Sequence, residues 1–177
     1  GRIAVVVGNE AHGMDDAHVV DHETENVQLN DLISRIMHRY GYAEVPFVSS
    51  VQSSDGETKA DDETYLDRRR VERILVNLLE NARDHANGAT RVTLDSDGLR
   101  FTLGVHDAGP GVASSERAHI FDRFARGTAS RNSTGSGLGL AIVSEHARAL
   151  RGNAHVEQSP DGGSSFIISF AKSEIQA

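Results

Sequence analysis

Two asparagines one helical turn apart lie in a stretch whose apolar residues recur with helical spacing. At ~100° per residue, Asn77, Asn81 and Asp84 fall within roughly 60° of one another, away from the centre of the apolar stripe. His85 lies close to this face. Amide oxygens suit a hard cation such as Mg²⁺, which prefers oxygen ligands and keeps several waters. On its own, such a pattern is more often a solvated helix face than a metal site.

A carboxylate followed by spaced glycines comes directly after a β-rich run, as Asp107-Ala108-Gly109-Pro110-Gly111. A carboxylate at a strand end can accept a hydrogen bond from an exocyclic amine. Gly109 and Gly111 would let the backbone approach a flat ring. An ordinary turn explains the same residues, and in isolation it is the commoner explanation.

A second glycine-rich segment, residues 135–140, opens a predicted helix and reads Gly-Ser-Gly-Leu-Gly-Leu. Glycines at a helix N-terminus expose backbone N–H groups and direct the positive end of the helix dipole toward an anion. This is phosphate chemistry. The segment is not a Walker loop, because G-x-x-x-x-G-K-[ST] is absent, and no Rossmann unit precedes it.

Between the glycine segments, Arg123 and Arg126 are framed by Phe121 and Phe124. The plainer interpretation is that the aromatic rings pack and the arginines are surface charge. The alternative is a lid whose guanidinium groups reach phosphate oxygens, which their planar fork suits well.

The elements that must position these groups follow from the apolar periodicity and from turn residues. Helices are predicted from a cap at Asn30 or Asp31 to Gly41, from a cap at Asp67 through Ala82, around 118–124, and over about 138–150. Strands are predicted at 3–7, 46–51, 91–94, 99–106, 154–158 and 165–170, with a loop at 53–62 and turns at 95–98 and 160–163. The pattern favours an α+β two-layer sandwich, with a mostly antiparallel sheet covered on one face by helices.

The composition of the chain disfavours or excludes several classes of function. The chain has 177 residues, 38% of them hydrophobic and 25% charged, so a buried core is expected. A formal charge of −8 disfavours binding to nucleic acid or to an anionic membrane. The absence of cysteine excludes disulfides and thiolate catalysis. With no apolar run near the ~18 residues of a membrane span, we expect a cytoplasmic domain.

The four motifs occur in the order Asn77-x-x-x-Asn81, Asp107-x-Gly109-x-Gly111, Phe121-x-Arg123-Phe124 and Gly135-x-Gly137-Leu138-Gly139. Together they resemble the N, G1, F and G2 boxes of the catalytic ATP-binding domain of bacterial two-component sensor histidine kinases, a branch of the GHKL ATPase superfamily. The segment 161–166 resembles the family's closing glycine turn and strand. The resemblance covers about 27–170, so we predict a catalytic domain at 27–177 and a lead-in segment at 1–26.

The resemblance implies a Bergerat-type fold that binds Mg·ATP under a flexible lid, here about 112–136. It implies that Asn81 is the Mg²⁺ ligand and that Asp107 recognises the adenine amine. Catalytic roles are implied for Asn77, Asn81, Arg123 and Arg126. The residues implied to line the ATP site are Asn77, Asn81, Asp84, His85, Asp107, Gly109, Gly111, Val112, Arg126, Gly135, Ser136, Gly137, Leu138, Gly139 and Leu140.

Two departures from the family pattern stand out. Asp84 occupies a position where relatives often carry a basic residue that contacts phosphate. The phosphoacceptor motif, usually His-Glu/Asp-x-x-x-Pro, is also missing, since the His22-Glu23 pair is followed by Val27 where proline is expected. The resemblance therefore implies that the acceptor histidine lies on a separate dimerisation domain, that a response regulator acts downstream, and that this chain alone is a monomer.

Three interpretations of the nucleotide site remain. Gyrase-like and Hsp90-like relatives carry Glu at position 77 to activate water, and Asn77 cannot take a proton at neutral pH, which favours a kinase. The alternatives are an anti-sigma-factor-type serine kinase, whose members tend to lack the Phe-Arg box, and a nucleotide-binding interaction module without transfer activity.

Overall fold

The computed structural model describes residues 2–3, 23–53, 61–123 and 139–174. They form three helices, α1 (Leu29–Arg39), α2 (Arg68–Ala86) and α3 (Gly139–Ala149). The strands are β1 (Arg2–Ile3), β2 (Thr24–Gln28), β3 (Phe47–Ser49), β4 (Glu63–Leu66), β5 (Ala89–Ser96), β6 (Arg100–Asp107), β7 (Asn153–Gln158) and β8 (Ser164–Ala171). Across the described ranges, no helix combines the length and the apolar character needed to cross a bilayer.

The strands form one large and one small sheet. The five-stranded sheet has the order β3-β5-β6-β8-β7, in which β3 and β5 are parallel and the other pairs antiparallel. The small sheet has the order β1-β2-β4 and is antiparallel. Helices α2 and α3 pack on each other and on the large sheet, and α1 packs on α2. The predicted α+β sandwich with a mixed, mostly antiparallel sheet is confirmed.

Helix α2 provides much of the core, as its periodicity predicts. Its inward residues Val71, Ile74, Leu75, Leu78 and Leu79 are each at most 1% exposed and pack among the inward side chains of the sheet. Burying a side chain of this size contributes about 1.5–3 kcal/mol, so the stripe holds the helix against the sheet.

The ends of α2 also follow local signals. The Asp67 carboxylate accepts a hydrogen bond of 3.0 Å from the backbone N–H of Arg69, which confirms the predicted N-cap. Asn87 ends the helix in the left-handed conformation, at φ 63°, and Gly88 follows at φ 103°.

The predicted cap of α1 is wrong. The helix begins at Leu29, and neither Asn30 nor Asp31 is its N-cap. Asp62 supplies the capping groups instead: its carbonyl accepts from Leu29 N at 3.0 Å and its Oδ2 from Asn30 N at 3.1 Å. Because these partners come from a distant part of the chain, the local pattern around Asn30 could not indicate where the helix starts.

The helix predicted around 118–124 is wrong for its described part, which is a run of turns. Single i→i−3 hydrogen bonds link Glu116 to Ala113, His119 to Glu116, and Asp122 to His119. The ring of Phe121 in this segment packs on Phe166 of β8, a contact with a distant part of the chain.

Several element bounds differ from those predicted. The strand at 46–51 is reduced to β3, the strand at 91–94 is longer at both ends, as β5, and the strand at 99–106 is shifted by one residue, as β6. In the hairpin turn between β5 and β6, Asp97 Oδ1 accepts from the N–H groups of Leu99 and Arg100 at 2.8 and 2.7 Å. Strand β2 begins at Thr24, within the predicted lead-in. The strand predicted at 3–7 overlaps β1 only at Ile3, and residues 4–22 lie outside the described residues.

A buried histidine lies on the sheet face opposite the helices. His106, 7% exposed, has Nε2 2.9 Å from the Thr93 hydroxyl and Nδ1 2.7 Å from the Ser165 hydroxyl. Gly104 makes this possible, because a Cβ there would lie 2.7 Å from His106 Nε2. Burial, and next the charge of Arg91, lower the pKa of His106 below 6.5, although nearby carboxylates of Asp161, Glu157 and Asp107 act in the opposite direction.

We expect His106 to make the fold less stable in mild acid. Its pKa is lower in the folded than in the unfolded protein, so the unfolded protein binds more protons below about pH 6.5. The stabilisation is complete above that pH and decreases as pH falls toward the folded-state pKa. Denaturant unfolding at about pH 7.5 and about pH 5.5 measures this loss, which His106→Asn should reduce. An equal loss in the variant and the parent chain would contradict the expectation.

Candidate functional site

The best-anchored polar group of the site is the carboxylate of Asp107, the last residue of β6. Asp107 is 3% exposed. Its Oδ1 accepts two backbone hydrogen bonds of 3.0 Å, one from Gly109 N and one from Ser164 N. Within the described ranges, Oδ2 receives no hydrogen bond. The two amides therefore fix the carboxylate so that one oxygen is occupied and the other remains available as an acceptor.

Three segments meet around this carboxylate, at distances that only glycine permits. A Cβ at Gly163, in the β7–β8 turn, would lie 2.3 Å from Asp107 Oδ1. A Cβ at Gly109 would lie 2.5 Å from the Cβ of Ala86, at the end of α2. Gly111 has φ 79° and lies beside the Gly163 carbonyl. The loop after β6 is therefore enclosed between the end of α2 and the β7–β8 turn.

The polar side of α2 meets the start of α3 at Asn77, about two helical turns before Ala86. Asn77 donates from Nδ2 to the carbonyl of Arg73 at 2.7 Å, which leaves its Oδ1 pointing elsewhere. A Cβ at Gly139, the first residue of α3, would lie 3.3 Å from this oxygen. Asn81 is partly buried one turn further along. At about 1.5 Å per residue, Asn77 and Ala86 are separated by ~13 Å along the helix.

Asp84 has a cationic neighbour. Its Oδ1 lies 3.3 Å from Nε of Arg83, and Arg83 also donates from Nη1 to the hydroxyl of Tyr42 at 3.4 Å. Burial raises the pKa of Tyr42, and Arg83 opposes this shift more than Glu80 or Asp84 adds to it. The negative charge of Asp84 is thus partly balanced by Arg83, at an exposed position.

The remaining predicted site residues are distributed around these groups. His85 is partly buried beside Ala86, Val112 and Leu140 are partly buried against the core, and Arg123 is exposed at the end of a described range. Phe121 packs edge-on against Phe166, with ring centroids 6.3 Å apart. The predicted residues that lie outside the described ranges are Arg126, Gly135, Ser136, Gly137 and Leu138.

The predicted site lacked the residues that hold Asp107 from the far end of the chain. Ser164 supplies one of its two amide hydrogen bonds, and Gly163 provides the space for the close approach. A signal for them was present, because the turn at 160–163 and the strand after it resemble the family's closing segment. What the sequence did not indicate was that this segment returns to the carboxylate of Asp107.

Comparison with known proteins agrees with this arrangement. The sequence profile of the family described as "Histidine kinase-, DNA gyrase B-, and HSP90-like ATPase" matches residues 66–174, which include α2, the segment from β5 to Gly111, and all of α3, β7 and β8. The chain belongs to this family. It is an ATP-binding catalytic domain, and its relatives among curated proteins are sensor histidine kinases.

Three similar proteins show how much of this ATPase domain is shared. AfsQ2, a signal transduction histidine-protein kinase of Streptomyces coelicolor, is 40% identical over 58% of this chain and 19% of its own. Sensor histidine kinase component HK1 of Mycobacterium tuberculosis is 37% identical over 65% of this chain and 70% of its own. The structure of full-length ShkA in complex with AMPPNP is 27% identical, with a TM-score of 0.64, covering 89% of this chain and 33% of that one.

The chain matches only part of the length of its curated relatives. The matched region spans about a fifth of AfsQ2 and a quarter of RstB, a sensor protein of Escherichia coli. The shared part is the ATPase domain, and the chain therefore spans only part of the length of these two relatives.

Gly163→Ala tests the packing against Asp107. The added methyl would lie 2.3 Å from Oδ1, so either the carboxylate or the turn must move, and we expect nucleotide affinity to fall by about tenfold or more. Gly162→Asn is the matched control, because a Cβ at Gly162 has nothing within 4 Å, so this change strains the same turn through its φ of 103° without crowding the carboxylate. Titration calorimetry measures both, and equal affinities in the two variants would contradict the assignment.

Proposed function

We propose that this ATPase domain binds Mg·ATP along the polar side of α2 and transfers the γ-phosphate to a histidine on a separate domain. The observation that carries the proposal is the placement of two different polar groups along one helix, one beside its C-terminal end and one beside its middle. The anchored carboxylate of Asp107 lies near Ala86, and the amide oxygen of Asn77 lies near Gly139.

The end of the site near Ala86 suits an adenine ring. Oδ2 of Asp107 can accept a hydrogen bond from the exocyclic 6-amine, because both backbone amides are on Oδ1. A carboxylate fixed in this way prefers a donor on the ligand over a carbonyl oxygen, which would favour adenine over guanine at that position. Gly109 and Gly111 leave the backbone open to a flat ring.

The end of the site near Gly139 suits phosphates. The N-terminus of α3 carries the positive end of the helix dipole and lies against Asn77. The donor set fits Mg²⁺, since the amide oxygens of Asn81 and Asn77 are hard ligands on one side of α2. Bound there by Asn81, Mg²⁺ would neutralise charge on the phosphate oxygens. In this proposal, Arg123 and Arg126 approach the same oxygens from the lid, and Gly135, Ser136 and Gly137 cradle them.

Asn77 supports transfer to another group over rapid hydrolysis. An amide cannot act as a general base, and the Nδ2 group of Asn77 already donates to the carbonyl of Arg73. With no base at position 77 to activate water, a bound acceptor imidazole would be the better nucleophile. Phosphoryl transfer otherwise needs positioning and charge neutralisation, which the two ends of the proposed site supply.

The parts of the pathway outside the chain follow from its relation to sensor kinases. We propose an acceptor histidine on a dimerisation domain, a response regulator downstream, a cytoplasmic location and a monomeric catalytic domain. The boundary of that domain at residue 27 stays a prediction. The serine-kinase alternative is disfavoured by the Phe121–Arg123 motif, whose phenylalanine is anchored on Phe166.

The binding site is tested by titrating the chain with Mg²⁺ and a slowly hydrolysed ATP analogue, alongside Asn81→Ala and Asp107→Asn. Because Oδ1 is held by two N–H donors, an asparagine at 107 would keep its oxygen there and turn its NH₂ toward the adenine amine. We expect about ten- to hundredfold weaker binding by Asp107→Asn.

Asp95→Asn is the matched control, since it makes the same change at an exposed carboxylate of β5. Binding by the parent chain that both site variants lose, and the control keeps, supports the nucleotide site. Transfer of labelled phosphate in trans to an isolated dimerisation hairpin then separates a kinase from an interaction module. Rapid steady-state ATP hydrolysis by the chain would contradict the kinase proposal.

Asp84→Lys should tighten Mg·ATP binding. Asp84 lies two residues before Ala86 and about 10 Å along α2 from Asn77, so its charge reaches the phosphates only over that distance, and Arg83 balances it only in part. Reversing the charge at an exposed position is expected to strengthen binding by about two- to fivefold at low salt. Asp31→Lys makes the same charge change on α1 and should have no effect. Unchanged or weaker binding by Asp84→Lys in a fluorescence titration would refute the expectation.

A further inference from the structure

The turn between β7 and β8 places one of the two hydrogen-bond donors to Asp107. Ser159 N donates to the Gly163 carbonyl at 2.9 Å, and Gly162 N donates to the Ser159 carbonyl at 3.1 Å, so the turn is closed internally. The next residue, Ser164, donates its N–H to Asp107 Oδ1. The position of the whole turn therefore decides whether this donor reaches the carboxylate.

The side chain of Asp161 joins this turn to β5. Its Oδ2 accepts a hydrogen bond of 2.6 Å from the hydroxyl of Thr90 and one of 3.1 Å from Nε of Arg91. The same Thr90 hydroxyl lies 3.2 Å from the carbonyl of His106, the residue before Asp107. These three residues, Thr90, Arg91 and Asp161, are called the turn latch below.

The turn latch holds its side chains in a more fixed geometry than an ordinary surface ion pair, because two hydrogen bonds meet at one carboxylate oxygen. The side chains of Arg91 and Asp161 are 30% and 28% exposed, although Asp161 as a whole residue lies at the surface. Two donors converge on one oxygen of Asp161. Because this carboxylate is ionised, the hydrogen bonds are charge-assisted. The hydrogen bonds from Thr90 and Arg91 hold the pKa of Asp161 below its usual range, so it stays ionised near neutral pH.

We propose that Asp161 is a positioning residue for base recognition, acting on Asp107 through the β7–β8 turn. The inference rests on the proposed function, in which Asp107 Oδ2 accepts from the adenine amine. Two backbone N–H groups orient Asp107. The hydrogen bond from Gly109 N is local, because Gly109 is only two residues from Asp107 in the chain. Ser164 N comes from a separate segment, and the turn latch fastens that segment to the strand beside β6.

The proposal separates two kinds of effect on binding. If Asp161 only stabilised the fold, its loss would weaken the binding of any purine nucleotide equally. If it acts through Asp107, its loss should matter only for a nucleotide that carries the 6-amine. Purine riboside triphosphate lacks that amine but keeps the ring, the ribose and the phosphates, so it serves as the probe.

We therefore expect Asp161→Ala to weaken Mg·ATP binding by about three- to tenfold and to change Mg·purine riboside triphosphate binding by less than about twofold. Thr90→Val, which removes one donor and keeps the side-chain shape, should show the same selectivity more weakly. Glu157→Gln is the matched control, because it alters an exposed carboxylate on β7 that pairs only with the exposed His155 in the described structure.

A second measurement does not depend on nucleotide. The amide protons of Gly109 and Ser164 both donate to a carboxylate, and their NMR shifts should move in Asp161→Ala and Thr90→Val but not in Glu157→Gln. Equal weakening for the two nucleotides, or unchanged amide shifts in folded variants, would overturn the proposal. Failure of the parent chain to bind ATP would instead refute the proposed function, and the amide shifts would still decide whether Asp161 positions Asp107.

Discussion

The alternation of side chains along the central strand β6 is the constraint on which the site depends. Phe101, Leu103 and Val105 point toward the helices and are at most 1% exposed, and the period of two places Asp107 on the same side. The carboxylate is thereby brought to the boundary between the sheet and the helix layer. A slip of one residue would put His106 there instead, but the pairing of Val105 with Phe166 holds the register through core packing.

Helix α2 makes the second connection between core and site. One side of it is buried on the sheet, and the partly buried Asn77 and Asn81 lie beside this apolar stripe, away from its centre. The buried leucines fix the rotation of the helix about its axis, and this rotation also sets the direction in which the two asparagine side chains project. The same packing brings Ala86 against Gly109 and Asn77 against Gly139, so a single rigid element sets the distance between the two ends of the site.

Prediction from the sequence succeeded where neighbouring residues provide both partners of an interaction. The cap at Asp67, the hairpin turn at Asp97 and the apolar stripe of α2 are such cases, and all three are confirmed. It failed at the start of α1, where the capping groups come from Asp62, and at 118–123, where Phe121 packs on Phe166 of β8. In both places a contact with a distant segment outweighed the local preference.

The sequence by itself determined the fold class, the family and the order of the four motifs, because periodicity, turn residues and motif spacing are properties of short segments. Only the tertiary structure decided how Asp107 is held, since its two amide donors, Gly109 and Ser164, lie 55 residues apart in the chain (164 − 109) and meet through the register of β6 and β8. It likewise decided that Arg83 balances Asp84 and that Asp161 fastens the turn above β5. These are contacts between segments, and the free energy that selects them comes from packing the whole sheet against its helices.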